Sequence, residues 1–190
     1  MNEEKRLYHG SSSIVRIPDL SMSRMDIDFG QGFYLTEDYK VSAKWASRTT
    51  TSICNEYTIS FKGLNVYEFE LNKEWLDYVI KNRNLEEFAE KGYEQYDVII
   101  GPIADDRLFH TIELYEDGLI SAENTISVMN CMEYGRQYVI KTDKAVNNLK
   151  YEGHKKIIGQ EKEMYRKLYK DDRQEATRRT HQMIRKLNGR

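Results

Sequence analysis

The apolar residues of this chain come in short runs, the longest strongly apolar one being Val98-Ile99-Ile100. A helical membrane span needs about 20 consecutive apolar residues, so none is expected, and the core must be assembled from many short elements. Residues 55–61 and 65–71 alternate with period two, as half-buried strands do. Trp75, Leu76, Val79 and Ile80 instead fall on one helical face. Strands and helices mix without a regular βαβ alternation, which predicts an α+β fold and argues against a doubly wound sheet. At 190 residues, 39% hydrophobic and net charge −2, the chain fits one folded domain with an appendage.

Local signals divide the chain further. Residues 6–9 read as a first strand broken by Gly10 and three serines, and residues 33–35 as a second. Thr36 is the expected N-cap of a helix reaching about Arg48, with Glu37 and Asp38 in its first turn. The strands at 55–61 and 65–71, joined through Gly63, are expected to pair as a hairpin. Asn72 should cap the next helix, followed by a short helix over 85–92. A strand at 96–100 ends at Gly101-Pro102. Helices are expected over 105–115 and 121–133, a last strand over 137–141, a short helix over 142–149, and helical structure from His154 onward.

Charge is unevenly spread. Residues 154–190 hold 12 Lys and Arg against 5 Asp and Glu, whereas residues 1–153 hold 17 against 26. The expected division is therefore a body over 1–153 and a basic helical extension over 154–190. That extension reads either as a solvated helix on an acidic body or as a contact for nucleic acid or another acidic partner.

Only Cys54 and Cys131 occur, with no CxxC and no Cys/His cluster, so neither a disulfide framework nor a metal site is expected. The first residues lack the apolar stretch of a signal peptide, and a cytoplasmic setting is expected. Nucleotide-loop, nucleophile-elbow and zinc-protease motifs are missing. Of the four histidines, His9 stands apart, at a strand end beside Gly10 and Ser11. It reads either as a residue bonded to local backbone or as a ligand contact.

A resemblance bears on that choice. Tyr8-His9-Gly10-Ser11, followed by Asp28-Phe29-Gly30-Gln31-Gly32-Phe33-Tyr34-Leu35-Thr36, resembles the His-Tyr class of ADP-ribosyltransferases, which includes diphtheria-toxin-like enzymes and poly(ADP-ribose) polymerases. With the blocks at 96–107 and 137–142 added, the chain looks like a bacterial family of uncharacterised function, DUF3990, placed in that superfamily. The likeness covers roughly residues 6–150. It implies a split mixed β-sheet core with flanking helices and NAD as the substrate.

Residue by residue, the resemblance implies that His9 bonds the adenosine-side ribose and Gly10 the nicotinamide amide, with Ser11 and Gly32 as neighbouring cofactor-binding positions. Tyr34 matches the aromatic that stacks on nicotinamide. Trp45, eleven residues later, matches the second aromatic, where the better-known enzymes use Tyr, and Ser42 matches a hydroxyl that bonds the carboxamide. Ser42 and Trp45 are i and i+3, which expects them on one helical face. Trp45 also reads as a core helix aromatic, and one residue can serve both.

At the third strand position the ADP-ribosyltransferase superfamily usually carries a Glu, and here Gln137 stands in its place. A Gln can bond a ribose hydroxyl but brings no negative charge. Three readings stay open: Gln137 is normal for this branch, it inactivates the enzyme, or the domain binds NAD without turning it over. Asp105 and Asp106 are candidates for another acid, Asp106 first, or are ordinary helix N-terminal residues. Arg107 would pair with a pyrophosphate or with a neighbouring carboxylate. Asp28 and Arg24 are weaker candidates.

The expected function is transfer of a single ADP-ribose from NAD to a macromolecular acceptor, protein or nucleic acid. The expected context is a bacterial toxin, anti-phage protein or effector, with a small antitoxin as a possible partner. The alternative is a non-catalytic NAD- or ADP-ribose-binding or interaction module on the same fold.

Overall fold

A computed structural model describes residues 4–87, 89–103, 109–130 and 135–188. Its described residues form a seven-stranded mixed sheet and six α-helices. The strands are β1 (Glu4–Ser11), β2 (Phe33–Thr36), β3 (Ile53–Ser60), β4 (Val66–Glu68), β5 (Val98–Pro102), β6 (Arg136–Ile140) and β7 (Leu149–Lys156). The helices are α1 (Tyr39–Ser47), α2 (Lys73–Arg83), α3 (Phe109–Glu116), α4 (Ala122–Asn130), α5 (Asp143–Asn147) and α6 (Gly159–Asn188). The strand order is β4-β5-β6-β2-β1-β3-β7, parallel only between β4 and β5. The α+β reading stands.

Strand alternation sorts the core onto two faces. Leu7, Phe33, Leu35, Tyr57, Ile59, Tyr138 and Ile140 pack in one buried cluster, joined by Ala145 and Val146 of α5. Ile99 and Val139 point the other way, into a cluster with Phe29, Phe69, Trp75, Leu76 and Val79, against which Tyr34 packs. The apolar stripe of α2 is thus buried as its periodicity predicts. Its N-cap is Asn72, whose Oδ1 accepts the Trp75 N–H at 3.0 Å.

Several local expectations are corrected. The helix after β2 is capped by Asp38, not Thr36. Thr36 still belongs to β2, and Asp38 Oδ1 accepts the Lys40 N–H at 2.7 Å. β1 does not stop at Gly10 but pairs with β3 through Ser11. β3 and β4 do not form a hairpin: β3 lies between β1 and β7, while β4 runs parallel to β5 at the other edge. Residues 84–87 and 89–95 form turns, not a helix. The short helix expected over 142–149 ends at Asn147, and residues 149–156, expected to be partly helical, form edge strand β7. Leu149 and Tyr151 are its partly buried apolar residues, so most of the strand is polar and exposed, a weak pattern for a sequence-based reading. The boundary expected between residues 153 and 154 falls inside β7.

The basic extension is largely α6, 30 residues and about 45 Å long. Tyr165 in its first turns, with Ile157 just before the helix, packs with Ala43 and Ala46 of α1. Lys44 Nζ bonds Asp172 Oδ2 at 2.5 Å and Arg166 Nε donates to the Ser47 carbonyl at 2.8 Å. In the ion pair between α1 and α6 the body supplies the cation, opposite to the overall charge asymmetry.

Candidate functional site

β6, β2 and β1 lie side by side in the middle of the sheet, and they carry Gln137, Tyr34 and His9. β1 and β2 pair only at Tyr8↔Thr36 and part beyond it. His9 sits in that fork. Its Nδ1 is 2.7 Å from the Tyr34 carbonyl oxygen, which only accepts, so Nδ1 carries the proton and Nε2 is the acceptor. Its ring packs on Phe33, centroids 4.3 Å apart. Burial lowers its pKa, with the Tyr34 bond opposing, and so favours the neutral ring. Of the one donor and one acceptor of a neutral imidazole, the donor is therefore used internally and the acceptor is left.

Tyr34 is fixed at both ends. Its backbone lies in β2, and its hydroxyl accepts the Phe29 N–H at 2.9 Å and donates to the Gly30 carbonyl at 2.8 Å. Burial raises its pKa far above the ordinary value, helped by the charge of Asp28. Tyr34 is thus a rigid aromatic wall and not a proton carrier. It also staples the turn before β2, where Gly30 has φ +64° and a Cβ would come within 2.4 Å of Asn82 and Glu90.

Two open cavities of about 490 Å³ each meet at Tyr34, Trp45 and Arg48. The first also touches His9, Gly10 and Thr49. The second reaches Gln137 and Asp28, with Arg24, Arg83 and Ile112 among its walls. Trp45 therefore lines this cleft from α1, partly buried, and stands outside the three core clusters. Gln137 is buried, with Nε2 donating to Asp28 Oδ2 and to the Pro102 carbonyl, both at 3.3 Å.

The other expected site residues lie as follows. Ser42 is fully buried with Oγ 3.0 Å from Cys54 Sγ, so the helical face it occupies points into the core beside β3. Gly10 borders the cleft, but its lack of a side chain is required by α1: a Cβ there would lie 2.1 Å from the Ser42 carbonyl oxygen. Ser11 Oγ donates to Ser13 O at 2.6 Å and accepts from Asn55 Nδ2 at 3.2 Å, a local turn. Gly32 packs against β6, where a Cβ would meet Val139 at 2.5 Å. Asp105, Asp106 and Arg107 lie outside the described residues.

Sequence reasoning undervalued Asp28 and missed Arg83. Arg83 Nε and Nη2 both donate to Asp28 Oδ1, at 2.9 and 2.6 Å, in a mostly buried pair. No local signal marks Arg83, because a cation in the last turn of a helix is ordinary dipole chemistry. Arg48, the C-cap of α1, holds its guanidinium 4.9 Å from the Tyr169 ring of α6 and so links the cleft to the basic helix. Arg24 is tied to Asp26 at the rim, at 2.9 and 2.8 Å. Among the described residues no group of three or more His, Cys, Asp or Glu could hold a metal ion. No described helix is long and apolar enough to cross a membrane.

The cleft thus offers two aromatic walls, an acceptor on a neutral His, an amide held by a carboxylate, and the guanidinium groups of Arg24, Arg48 and Arg83 set among the carboxylates of Asp26, Asp28 and Glu116. Such a set suits a ligand with a flat ring and sugar hydroxyls. No curated protein and no solved structure matches the chain. A family model described as "Protein of unknown function (DUF3990)" matches residues 5–151, from β1 into β7. The chain belongs to the DUF3990 family.

Proposed function

We propose that this protein transfers ADP-ribose from NAD to a macromolecular acceptor, one unit at a time. The observation that carries the reading is the convergence of His9, Tyr34, Trp45 and Gln137, from three adjacent strands and α1, on one continuous cleft. These four positions align with the site of ADP-ribosyltransferases, with Trp45 in place of the usual Tyr and Gln137 in place of the usual Glu. Tyr34 and Trp45 would hold the nicotinamide ring, His9 Nε2 would accept a ribose hydroxyl, and Arg24, Arg48 or Arg83 would face the pyrophosphate. When the bond from nicotinamide to ribose breaks, its electron pair leaves with the ring nitrogen, which becomes neutral. The sugar carbon takes on cationic character until an acceptor nucleophile bonds to it and gives up its proton. Clamping the ring and sugar in one aligned pose is the chain's main contribution to that step.

The acceptor in this reading is a protein or a nucleic acid, met in a bacterial cytoplasm. A toxin, anti-phage or effector role with a small antitoxin partner is its biological setting. The test is nicotinamide release from NAD in the presence of cell lysate, for the protein and for His9→Ala and Tyr34→Ala. Release that both variants abolish is expected. A well-folded protein that labels nothing and releases nothing would refute it.

A second reading is favoured by one observation. Gln137 is neutral, and the carboxylate beside it, Asp28, is paired with Arg83. A neutral amide where a carboxylate would face the sugar suits a module that binds NAD and leaves it intact. NAD binding weakened by Tyr34→Ala, with no nicotinamide released, would select that reading.

A further inference from the structure

The surroundings of Gln137 decide what residue the site is built around. Its Nε2 faces Asp28 Oδ2 and the Pro102 carbonyl, each at 3.3 Å. A carboxylate and a carbonyl only accept, so the amide has one allowed orientation. With Nε2 turned to them, Oε1 is the acceptor of the amide, on a residue that lines the cavity. Asp28 is itself held by two hydrogen bonds from Arg83 on its other oxygen. The loop carrying Asp28 is fixed next door, where Phe29 N–H meets the Tyr34 hydroxyl. A Glu at position 137 would set a third acceptor against those two, with like charges one hydrogen-bond length apart.

We propose that Asp28, braced by Arg83, is the positioning residue of this site: it orients the Gln137 amide so that Oε1 receives a sugar hydroxyl beside the bond that breaks. The inference rests on the transferase reading above and deepens it. Gln137 is then the residue the pocket is made for, and the carboxylate of the site stands one hydrogen bond behind it. The usual Glu is not missing but is divided between two side chains, one that touches the substrate and one that aims it.

The test exchanges donor and acceptor across the pair. Nicotinamide release is measured for the full chain and for Gln137→Glu, Asp28→Asn and the double variant. Gln137→Glu sets acceptor against acceptor, and Asp28→Asn sets amide donor against amide donor. Each is expected to lower kcat by about 10²-fold, the usual cost of a misaimed group, with the KM for NAD changed less than about threefold. The double variant restores one donor facing one acceptor and keeps the total charge, so it is expected to recover at least about tenfold of the loss. Additive losses in the double variant, or a Gln137→Glu protein as fast as or faster than the parent, would overturn the inference while leaving the transferase reading intact. A parent protein that releases no nicotinamide overturns the transferase reading and this inference with it. Side-chain amide NMR gives a readout without turnover: the Gln137 NH2 signals are expected to be dispersed and slowly exchanging in the parent. They should move toward free-amide positions in Asp28→Ala, and unchanged signals there would refute the contact itself.

Discussion

Gly10→Ala tests how the cleft is assembled, because the glycine lies where α1 presses on β1. A Cβ built at Gly10 lies 2.1 Å from the Ser42 carbonyl oxygen and 2.9 Å from the Ala46 nitrogen. Both are backbone atoms of α1, so no side-chain rotation relieves the clash. A carbon–oxygen contact needs about 3.3 Å, so α1 must retreat by roughly 1 Å. A gap of that width forfeits about a quarter to a half of the dispersion attraction of the atoms facing it. Overpacking of a closed interface costs about 1–3 kcal/mol, and a backbone obstacle places this variant near the top, at about 3 kcal/mol. For a chain of this length that lowers Tm by roughly 6–12 °C. Urea unfolding followed by Trp45 and Trp75 fluorescence measures it, with an unchanged m value expected. Because Trp45 rides on α1, NAD affinity should fall as well. A stability change under about 0.5 kcal/mol in a folded Gly10→Ala protein would refute the reasoning, since it would mean that the strand and helix do not touch there.

Other outcomes follow from the same contacts. Tyr34→Phe keeps the ring but deprives Phe29 N–H and Gly30 O of their partner; a loss of about 1–3 kcal/mol is expected in urea unfolding. His9 has a folded pKa below its ordinary 6.5, so the unfolded chain takes up the proton more readily. Stability should therefore rise with pH up to about 6.5 and level off above it, and His9→Gln should flatten that part of the profile; an unchanged slope counts against a buried neutral ring. Burial pushes the Cys54 thiol up to about 11, with the Ser42 contact opposing, so peptide-mapped labelling at pH 8 should spare Cys54 until the protein unfolds. Truncation after residue 158 removes Tyr165 from Ala43 and Ala46 and should cost at least about 2 kcal/mol, read by the urea midpoint.

Periodicity and capping made much of the local structure legible. The stripe on α2, its Asn72 cap and the short buried strands at β5 and β6 follow from residue order, because they depend on neighbours a few positions away. The likeness around His9, Tyr34, Trp45 and Gln137 was also readable, since it rests on spacing along the chain. Pairing was not. β3 joins β1 and β7 and not β4, and β7 itself was missed, because its apolar-polar alternation lasts only from Leu149 to Glu152 before the strand turns polar throughout.

Roles within the cleft were divided in the same way. The residue types supplied one histidine, two aromatics and one glutamine, whose chemistry suits the sugar and ring contacts proposed above. Only tertiary structure decided that His9 spends its donor on Tyr34 O, that Ser42 turns into the core, and that Gly10 is small to admit α1. It also brought Arg83, 55 residues away in the chain, onto Asp28, and Asp28 onto Gln137 across 109 residues. Sequence fixes which groups a chain owns and how its nearest turns fold. Which donor meets which acceptor over such separations is settled by packing, because a hydrogen bond is decided within about 3 Å and no local pattern carries that information.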